Sequence, residues 1–535
     1  MDPWQSFEGL CEAMANPAFY PHPVSRLERR DTHISAVFLT GDWVYKLKKP
    51  VDLGFLDFRR LEDRHYFCEQ EVRLNQRLSR DVYQEVIELY QGQTGQFSMV
   101  DIGRITEYAV KMRQLPDGLS LKGLLENDKI RHTHMNELGE MLADFYKRGE
   151  RSPRIEHYGR RGVIAFNMEE SFRQLEPFAG RLLEPDKWEV VCQVSRSFLE
   201  SRRDLFQRRI EEGRIRDGHG DLRVDHIYFI RGIQIIDCIE FNDRFRYGDV
   251  AADLAFLHMD MEHLGYAMWS RTFLAAYVNC AQDPGLYSLL DFYAAYRAIV
   301  RLKVACLRWQ AVKKPEQEIL AADARVYLNQ AYRYAIEFSR PTLWVFCGLP
   351  ATGKSALAEE VADALGVPLF QSDRVRREEQ GDGQPKKVPF GRGPYRLEIR
   401  HRVYNRMLAL AQQTLKTGRS VILDATYSRR KWRDATRVLA SDLDTNLVFV
   451  ECLCEEETIR SRLKERTDSS LSDARLEHFT QIREAFEPTT ELSDDMHLSI
   501  RTDKQPLHET VVNVLSDGYA RKCAQVKRLI AMTTG

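Results

Sequence analysis

Two different hydrophobic periods divide the chain. Near the start, Ala36-Val-Phe-Leu39 and Trp43-Val-Tyr-Lys-Leu47 flank Thr40-Gly41-Asp42, the pattern of two strands joined by a tight turn. The stretch from Arg64 to Leu78 reads as a charged amphipathic helix. From Asn136 the period changes: Leu138, Met141, Leu142 and Phe145 recur at i, i+3, i+4 and i+7, one face of a helix. Helical patterning then runs to Phe338, interrupted by a β-rich island between Gly218 and Glu240. Strands first and helices later predict a two-lobed α+β domain. After Ser339-Arg340-Pro341, apolar runs at Leu343–Cys347, Val367–Phe370, Val421–Leu423, Leu447–Cys452 and His497–Ile500 alternate with helix-length polar segments. That alternation predicts an α/β domain built on a parallel sheet. The boundary falls near residue 340, giving domains 1–340 and 341–535. The polar stretch Gln380 to Pro394 reads as a mobile loop.

Composition adds exclusions. With 535 residues the chain is too long for one core. A composition of 43% hydrophobic and 29% charged residues and a formal net charge of −1 suit a soluble globular protein without a dominant nucleic-acid or membrane surface. The 10 cysteines are scattered without a C-x-x-C pair, which suits free thiols in a reducing compartment. The start, Met1-Asp-Pro-Trp-Gln5, lacks the basic and apolar regions of a signal peptide, and no apolar run approaches the length of a membrane span. The expected location is cytoplasmic.

The run Gly348-Leu-Pro-Ala-Thr-Gly353-Lys354-Ser355 fits G-x-x-x-x-G-K-[ST], between an apolar strand and a helical pattern beginning at Ala356. Strand, loop and helix together aim backbone N–H groups and a helix N-terminus at a phosphate. Lys354 is expected on the β and γ phosphates of ATP, and the Ser355 hydroxyl on Mg²⁺. Val421-Ile-Leu-Asp424 ends a strand with a carboxylate, resembling a Walker B position near the metal. Gln371-Ser-Asp373-Arg-Val-Arg376 follows another strand, at the end of the sheet that faces a ligand crevice. It resembles the D-x-x-R element of small-molecule and polynucleotide kinases, which implies that Asp373 takes the acceptor proton and Arg376 grips an acceptor group. Arg462 and Arg466 lie four apart on a helix whose other face carries Ile459 and Leu463, so they suit a phosphate clamp or a plain solvated face. Residues 341 to about 495 resemble the P-loop kinase family that includes gluconate-kinase-like and zeta-toxin-like proteins.

A second acidic pair, in His219-Gly220-Asp221 and Ile236-Asp237, frames the β-rich island. Phosphoryl transfer needs such a pair, one carboxylate for the acceptor proton and one for Mg²⁺. Residues 25 to 335 resemble the aminoglycoside phosphotransferase family, a branch of the protein-kinase-like fold. The match runs in order through Arg30–Ser35, Val44-Tyr-Lys46, Gln70-Glu71, Tyr108–Met112, His219–Asp221 and Ile236-Asp237. The resemblance implies Asp221 as catalytic base, Asp237 as Mg²⁺ ligand and a Lys46–Glu71 ion pair that orients ATP. Lys48 shares the face of Lys46 and competes with it for that role, unless both are solvated edge charges. Glu240 is the reserve metal ligand. Two positions depart from the family. His226 stands where the Asn ligand of the second Mg²⁺ is expected, with Asp225 as the alternative, and the nucleotide loop contains no glycine.

The fusion of these two halves resembles a bacterial group described as a bifunctional phosphotransferase and ATP-binding protein. The expected function is ATP- and Mg²⁺-dependent transfer of the γ-phosphoryl group to hydroxyls of small molecules, at one site in each half. The alternatives are an N-terminal pseudokinase that senses a ligand for the C-terminal enzyme, and a C-terminal domain acting on nucleic-acid ends through arginines near 374–377 and 429–433. No membrane partner is expected.

Overall fold

The computed structural model describes residues 3–54, 56–380, 396–465 and 476–534. The chain forms two compact units, Met1–Ile164 with Gln207–Phe273, and Ala165–Phe206 with Leu274–Gly535. The expected boundary at 340 lies inside the second of these. Arg466 and the expected loop at 380–394, apart from its first residue, fall outside the described residues.

In the first unit, strands β1 (Glu28–Asp31), β2 (Ser35–Leu39), β3 (Trp43–Lys48), β4 (Tyr83–Gly92), β5 (Phe97–Ser98) and β6 (Gly103–Arg113) form an antiparallel sheet in the order β1-β2-β3-β6-β4-β5. β3 is therefore an inner strand, so Lys46 and Lys48 are not edge charges. Alternation along β3 sends Tyr45 and Leu47 into a core with Phe7, Leu10 and Met14 of the first helix. Val44, Lys46 and Lys48 face the other side, where Val44 meets Cys68 of helix Leu61–Asn75. That helix is the charged amphipathic one expected from Arg64 to Leu78. Its buried stripe is Arg64, Cys68, Glu71, Leu74 and Asn75, a helical period in which the charges point inward. Arg64 is held by Glu107 at 2.9 Å and by the Phe58 carbonyl at 2.8 Å.

The β-rich island is smaller than its sequence suggests. Short strands β7 (Ile215–Asp217), β8 (Ile227–Phe229), β9 (Ile233–Ile235) and β10 (Tyr247–Asp249) pair as β7 with β10 and β8 with β9.

In the second unit, β11 (Thr342–Cys347), β12 (Leu369–Gln371), β13 (Val421–Asp424), β14 (Asn446–Leu453) and β15 (His497–Arg501) form a wholly parallel sheet in the order β12-β13-β11-β14-β15. Leu343, Val345 and Cys347 enter one core with Leu423, Phe449 and Met407. The long helices Leu290–Ala311 and Glu316–Ser339 belong to the same unit. The first of them is tied to the closing helix Leu507–Thr534 through Asp291, which accepts from Tyr519 at 2.6 Å and pairs with Lys522. No helix of the described residues is long and apolar enough to cross a membrane.

Arg433 is the largest fully buried side chain of the described residues. It pairs with Glu491 at 2.5 Å and donates to the carbonyls of Tyr427 (2.8 Å), Glu487 (3.2 Å) and Pro488 (2.7 Å). One planar guanidinium thereby staples the segment after β13 to the segment before β15. Arg433→Met leaves Glu491 unpaired and should cost about 3 kcal/mol or more. Hydrogen exchange of the 421–433 backbone, read by mass spectrometry, is expected to accelerate. Arg433→Lys should recover little, because one ammonium cannot serve three carbonyls and a carboxylate. Unchanged protection in both variants would refute the staple.

Candidate functional sites

The first constellation lies in the first unit. Glu71, 1% exposed, takes Lys46 at 2.8 Å on one oxygen and Lys48 at 2.8 Å on the other. Lys46 continues to Asp237 Oδ1 at 2.6 Å, whereas Lys48 turns inward to Glu240. Geometry thus separates the two lysines. Lys46 bridges toward the acidic loop, and Lys48 is wholly enclosed. Glu240, paired with Lys48 and buried, is a structural partner rather than a reserve metal ligand.

The loop after β7 is set by backbone bonds. The Gly218 N–H donates to the Arg246 carbonyl, and the N–H groups of His219 and Gly220 donate to the Asp253 carboxylate at 2.6 and 2.9 Å. Gly220 has φ +86°, and a Cβ there would meet the Phe245 carbonyl at 2.8 Å. The Ile236 N–H donates to the His226 carbonyl at 2.9 Å, which brings Asp237 beside His226. Asp237 has φ +64°, an uncommon conformation for its residue type. Its N–H donates to the Tyr83 hydroxyl at 3.2 Å, and the next N–H, of Cys238, to Asn75 Oδ1 at 2.9 Å. The result gathers Asp221, His226 and Asp237, whose ligand atoms lie within 4.8 Å of one another. Asp225 is engaged elsewhere, with Arg223 at 3.1 Å and Lys122 at 3.4 Å.

Burial pushes the Asp237 carboxyl up, but Lys46 and then His226 outweigh it and hold the group well below the usual carboxylate range. Glu71 is likewise held down, burial opposing and the two lysines prevailing. Lys46 stays well above its ordinary value because Asp237 and Glu71 outweigh its burial. Asp253, Asn75 and Tyr83 were missed in sequence. No motif marks them, because each acts through backbone bonds to residues far along the chain.

The second constellation sits at the carboxyl end of the parallel sheet. Gly348 follows β11 with φ +129°, and a Cβ there would lie 2.5 Å from the Cys452 carbonyl of β14. Ala351 (φ +64°) and Gly353 (φ +84°) turn the loop into helix Lys354–Leu365. Gly353 occupies the N-cap without a side-chain hydrogen bond, so the first-turn N–H groups face the loop's concavity. Phe346 pairs with Asp424 across to β13, and Asp424 with Gln371 across to β12, so the strand ends line up. Asp424 is 3% exposed; Gln371 donates to its Oδ2 at 3.2 Å, while Oδ1 has no hydrogen-bond partner among the described residues. Burial raises this carboxyl, against the pull of Lys354 and Ser355 beside it. A buried carboxylate oxygen left without a donor, next to a serine hydroxyl and a phosphate loop, fits the outer shell of a hard cation such as Mg²⁺. Gln371 is a site residue that sequence reasoning quoted without assigning a role. Its place as the last residue of a strand was the available signal.

Asp373 pairs with Arg376 at 2.9 Å at the start of helix Ser372–Gln380, so the two residues expected to serve as base and acceptor grip hold each other. Arg462 donates to the Ala351 carbonyl of the loop at 3.2 Å, while Ile459 and Leu463 are buried on the opposite face. The arginines considered for nucleic acid are largely engaged. Arg433 is buried, Arg429 pairs with Glu487 at 2.8 Å and Arg374 with Glu359 at 3.2 Å.

Gly348→Ala inserts a methyl group against a backbone carbonyl at a left-handed position and must shift the loop. Strain of this kind costs about 1–3 kcal/mol. ATP affinity by calorimetry is expected to fall about tenfold or more with the circular dichroism spectrum preserved; unchanged affinity would show that the loop does not hold the phosphates.

Residues 343–489 match the model of a family described as an AAA domain. Among solved structures, the chain resembles a choline/ethanolamine kinase family protein from Mesorhizobium loti, at 14% identity and TM-score 0.37, covering 61% of this chain and 98% of that one. It also resembles a gluconokinase from Sinorhizobium meliloti, at 19% identity and TM-score 0.26, covering 36% and 97%. An uncharacterized protein of Mycobacterium tuberculosis and one of Mycobacterium bovis are each 34% identical to it over 479 residues, 88% of this chain and 91% of theirs. The chain therefore belongs to the family of these mycobacterial proteins, with a P-loop AAA domain in its C-terminal part.

Proposed function

We propose that this protein is an ATP- and Mg²⁺-dependent phosphotransferase with two nucleotide sites, each passing a γ-phosphoryl group to a hydroxyl of a small molecule. The observation that carries the reading is the unpartnered Oδ1 of buried Asp424 beside Lys354 and Ser355 at the mouth of the phosphate loop. In this site Lys354 and the first-turn N–H groups hold the phosphates, and Arg462 donates to the Ala351 carbonyl of the loop. Ser355 is the direct Mg²⁺ ligand and Asp424 supports its shell; the ion's contribution is to neutralise phosphate charge during transfer. Asp373 orients the acceptor hydroxyl and takes its proton once Arg376 turns to the acceptor.

In the first unit, Lys46, fixed by Glu71, holds phosphate oxygens. Asp237 with His226 holds the ion, and Asp221 receives the acceptor proton. A second reading makes this unit a sensor without turnover. It is favoured by the imidazole at 226 and by a loop, residues 30–35, without glycine.

Phosphate release and transfer from labelled ATP to a metabolite pool distinguish the readings in the full chain. Lys354→Ala is expected to lower turnover about a hundredfold or more, as removal of a phosphate-stabilising charge does. Unchanged turnover would remove the C-terminal site as the main catalyst. In the Lys354→Ala background, Asp221→Ala should abolish what is left. If the residue of activity survives, or if none was left to abolish while the first unit still binds nucleotide, the sensor reading replaces the second active site.

A further inference from the structure

We infer that the cleft of the first unit holds a first-row transition ion, through His226 Nε2 and Asp237 Oδ2, in preference to Mg²⁺. The inference rests on the proposed phosphotransfer only for the ion's role; its ligand set stands on geometry.

The imidazole orientation comes first. His226 Nδ1 lies 2.9 Å from the Asp221 carbonyl oxygen, which can only accept, so Nδ1 carries the hydrogen and donates it. Nε2 is then the ring nitrogen left to face an ion. It faces Asp237 Oδ2 at 3.7 Å, too far for a hydrogen bond. Neither atom is hydrogen-bonded to the other, and the gap between them is wide enough for a cation. Two ligands at about 2.1 Å from one ion sit about 3–4 Å apart as the ligand–ion–ligand angle opens from a right angle. The observed separation falls in that range. The Asp221 carboxylate belongs to the same 4.8 Å cluster but lies nearest the other ring nitrogen, with Oδ2 3.7 Å from Nδ1, the place of a base rather than of a ligand to this ion.

Asp237 is prepared for this. Lys46 holds its Oδ1 at 2.6 Å, which fixes the carboxylate plane and leaves Oδ2 for the ion. The backbone bonds to Tyr83 and Asn75 hold the loop in its strained conformation around it. The donor set then selects among ions. A carboxylate accepts any divalent cation, but an imidazole nitrogen favours first-row transition ions over Mg²⁺, which prefers oxygen throughout. By contrast, the C-terminal site offers only oxygens, from Ser355 and Asp424.

That contrast makes the test specific. Mn²⁺ is added to the full chain without nucleotide and examined by pulsed electron paramagnetic resonance for a directly bound ¹⁴N, which the oxygen-only site cannot supply. The wild type is expected to show the nitrogen coupling. His226→Asn should lose it and reduce the Mn²⁺-over-Mg²⁺ affinity ratio about tenfold or more. Absence of nitrogen coupling in the wild-type spectrum, or an unchanged affinity ratio in a folded His226→Asn protein, overturns the inference. The wild-type spectrum decides the matter even if the variant does not fold. Nitrogen-bound Mn²⁺ without Asp221-dependent turnover keeps this inference and removes phosphotransfer from the first unit; turnover without bound nitrogen does the reverse.

Discussion

One buried carboxylate organises the first unit. Glu71 is removed from water and survives as an anion only because both of its oxygens meet ammonium groups. This demand fixes the register of helix Leu61–Asn75 against β3, since Lys46 and Lys48 sit two residues apart on one face. It also ties the sheet to the acidic loop, because Lys46 has a second carboxylate to satisfy. The network does not balance: Lys46 and Lys48 meet Glu71, Asp237 and Glu240. The surplus negative charge gathers where Asp237 opens to the cleft, with Asp221 nearby. A closed ion network would make an inert core. An unbalanced one with its excess at the surface makes a place for a cation.

The second unit meets a different constraint. Its strands are all parallel, so their carboxyl ends and the helix N-termini that follow lie on one side. Gly348 can pass beneath the Cys452 carbonyl only because it lacks a side chain. The loop is thereby pressed into the sheet's end, within reach of Asp424 and Gln371. Arg433 meanwhile holds the segments after β13 and before β15 together, leaving the strand ends as a fixed frame.

Much of this was legible in the chain, for reasons that differ by region. The phosphate loop is local: glycines, lysine and serine act through spacing within eight residues, and the flanking strand and helix carry clear periods. The five parallel strands were readable because each is an apolar run between helix-length polar segments, although Leu369–Gln371 begins two residues later than its run suggested. The first-unit site was legible only through resemblance. Period analysis reads Arg64 to Leu78 as a charged amphipathic helix but does not say which charges it buries; Arg64 and Glu71 point inward to partners more than twenty residues away in sequence. His226 was visible as a departure, but its orientation was not, since that depends on the Asp221 carbonyl. Asp253 holds its site through contacts that no local pattern encodes.

The pairing of Asp291 with Tyr519 and Lys522 bears on how this protein can be dissected. A polypeptide cut at residue 341 keeps every strand of the parallel sheet and the whole phosphate loop, yet it discards the carboxylate that neutralises an enclosed lysine. It also uncovers the flank of the closing helix that Leu290–Ala311 protects. Such a truncation would be expected to aggregate even though no nucleotide-binding group is missing. The compact unit, as distinct from the chemically competent part, takes in Ala165–Phe206 and everything from Leu274 onward, well upstream of the phosphate loop.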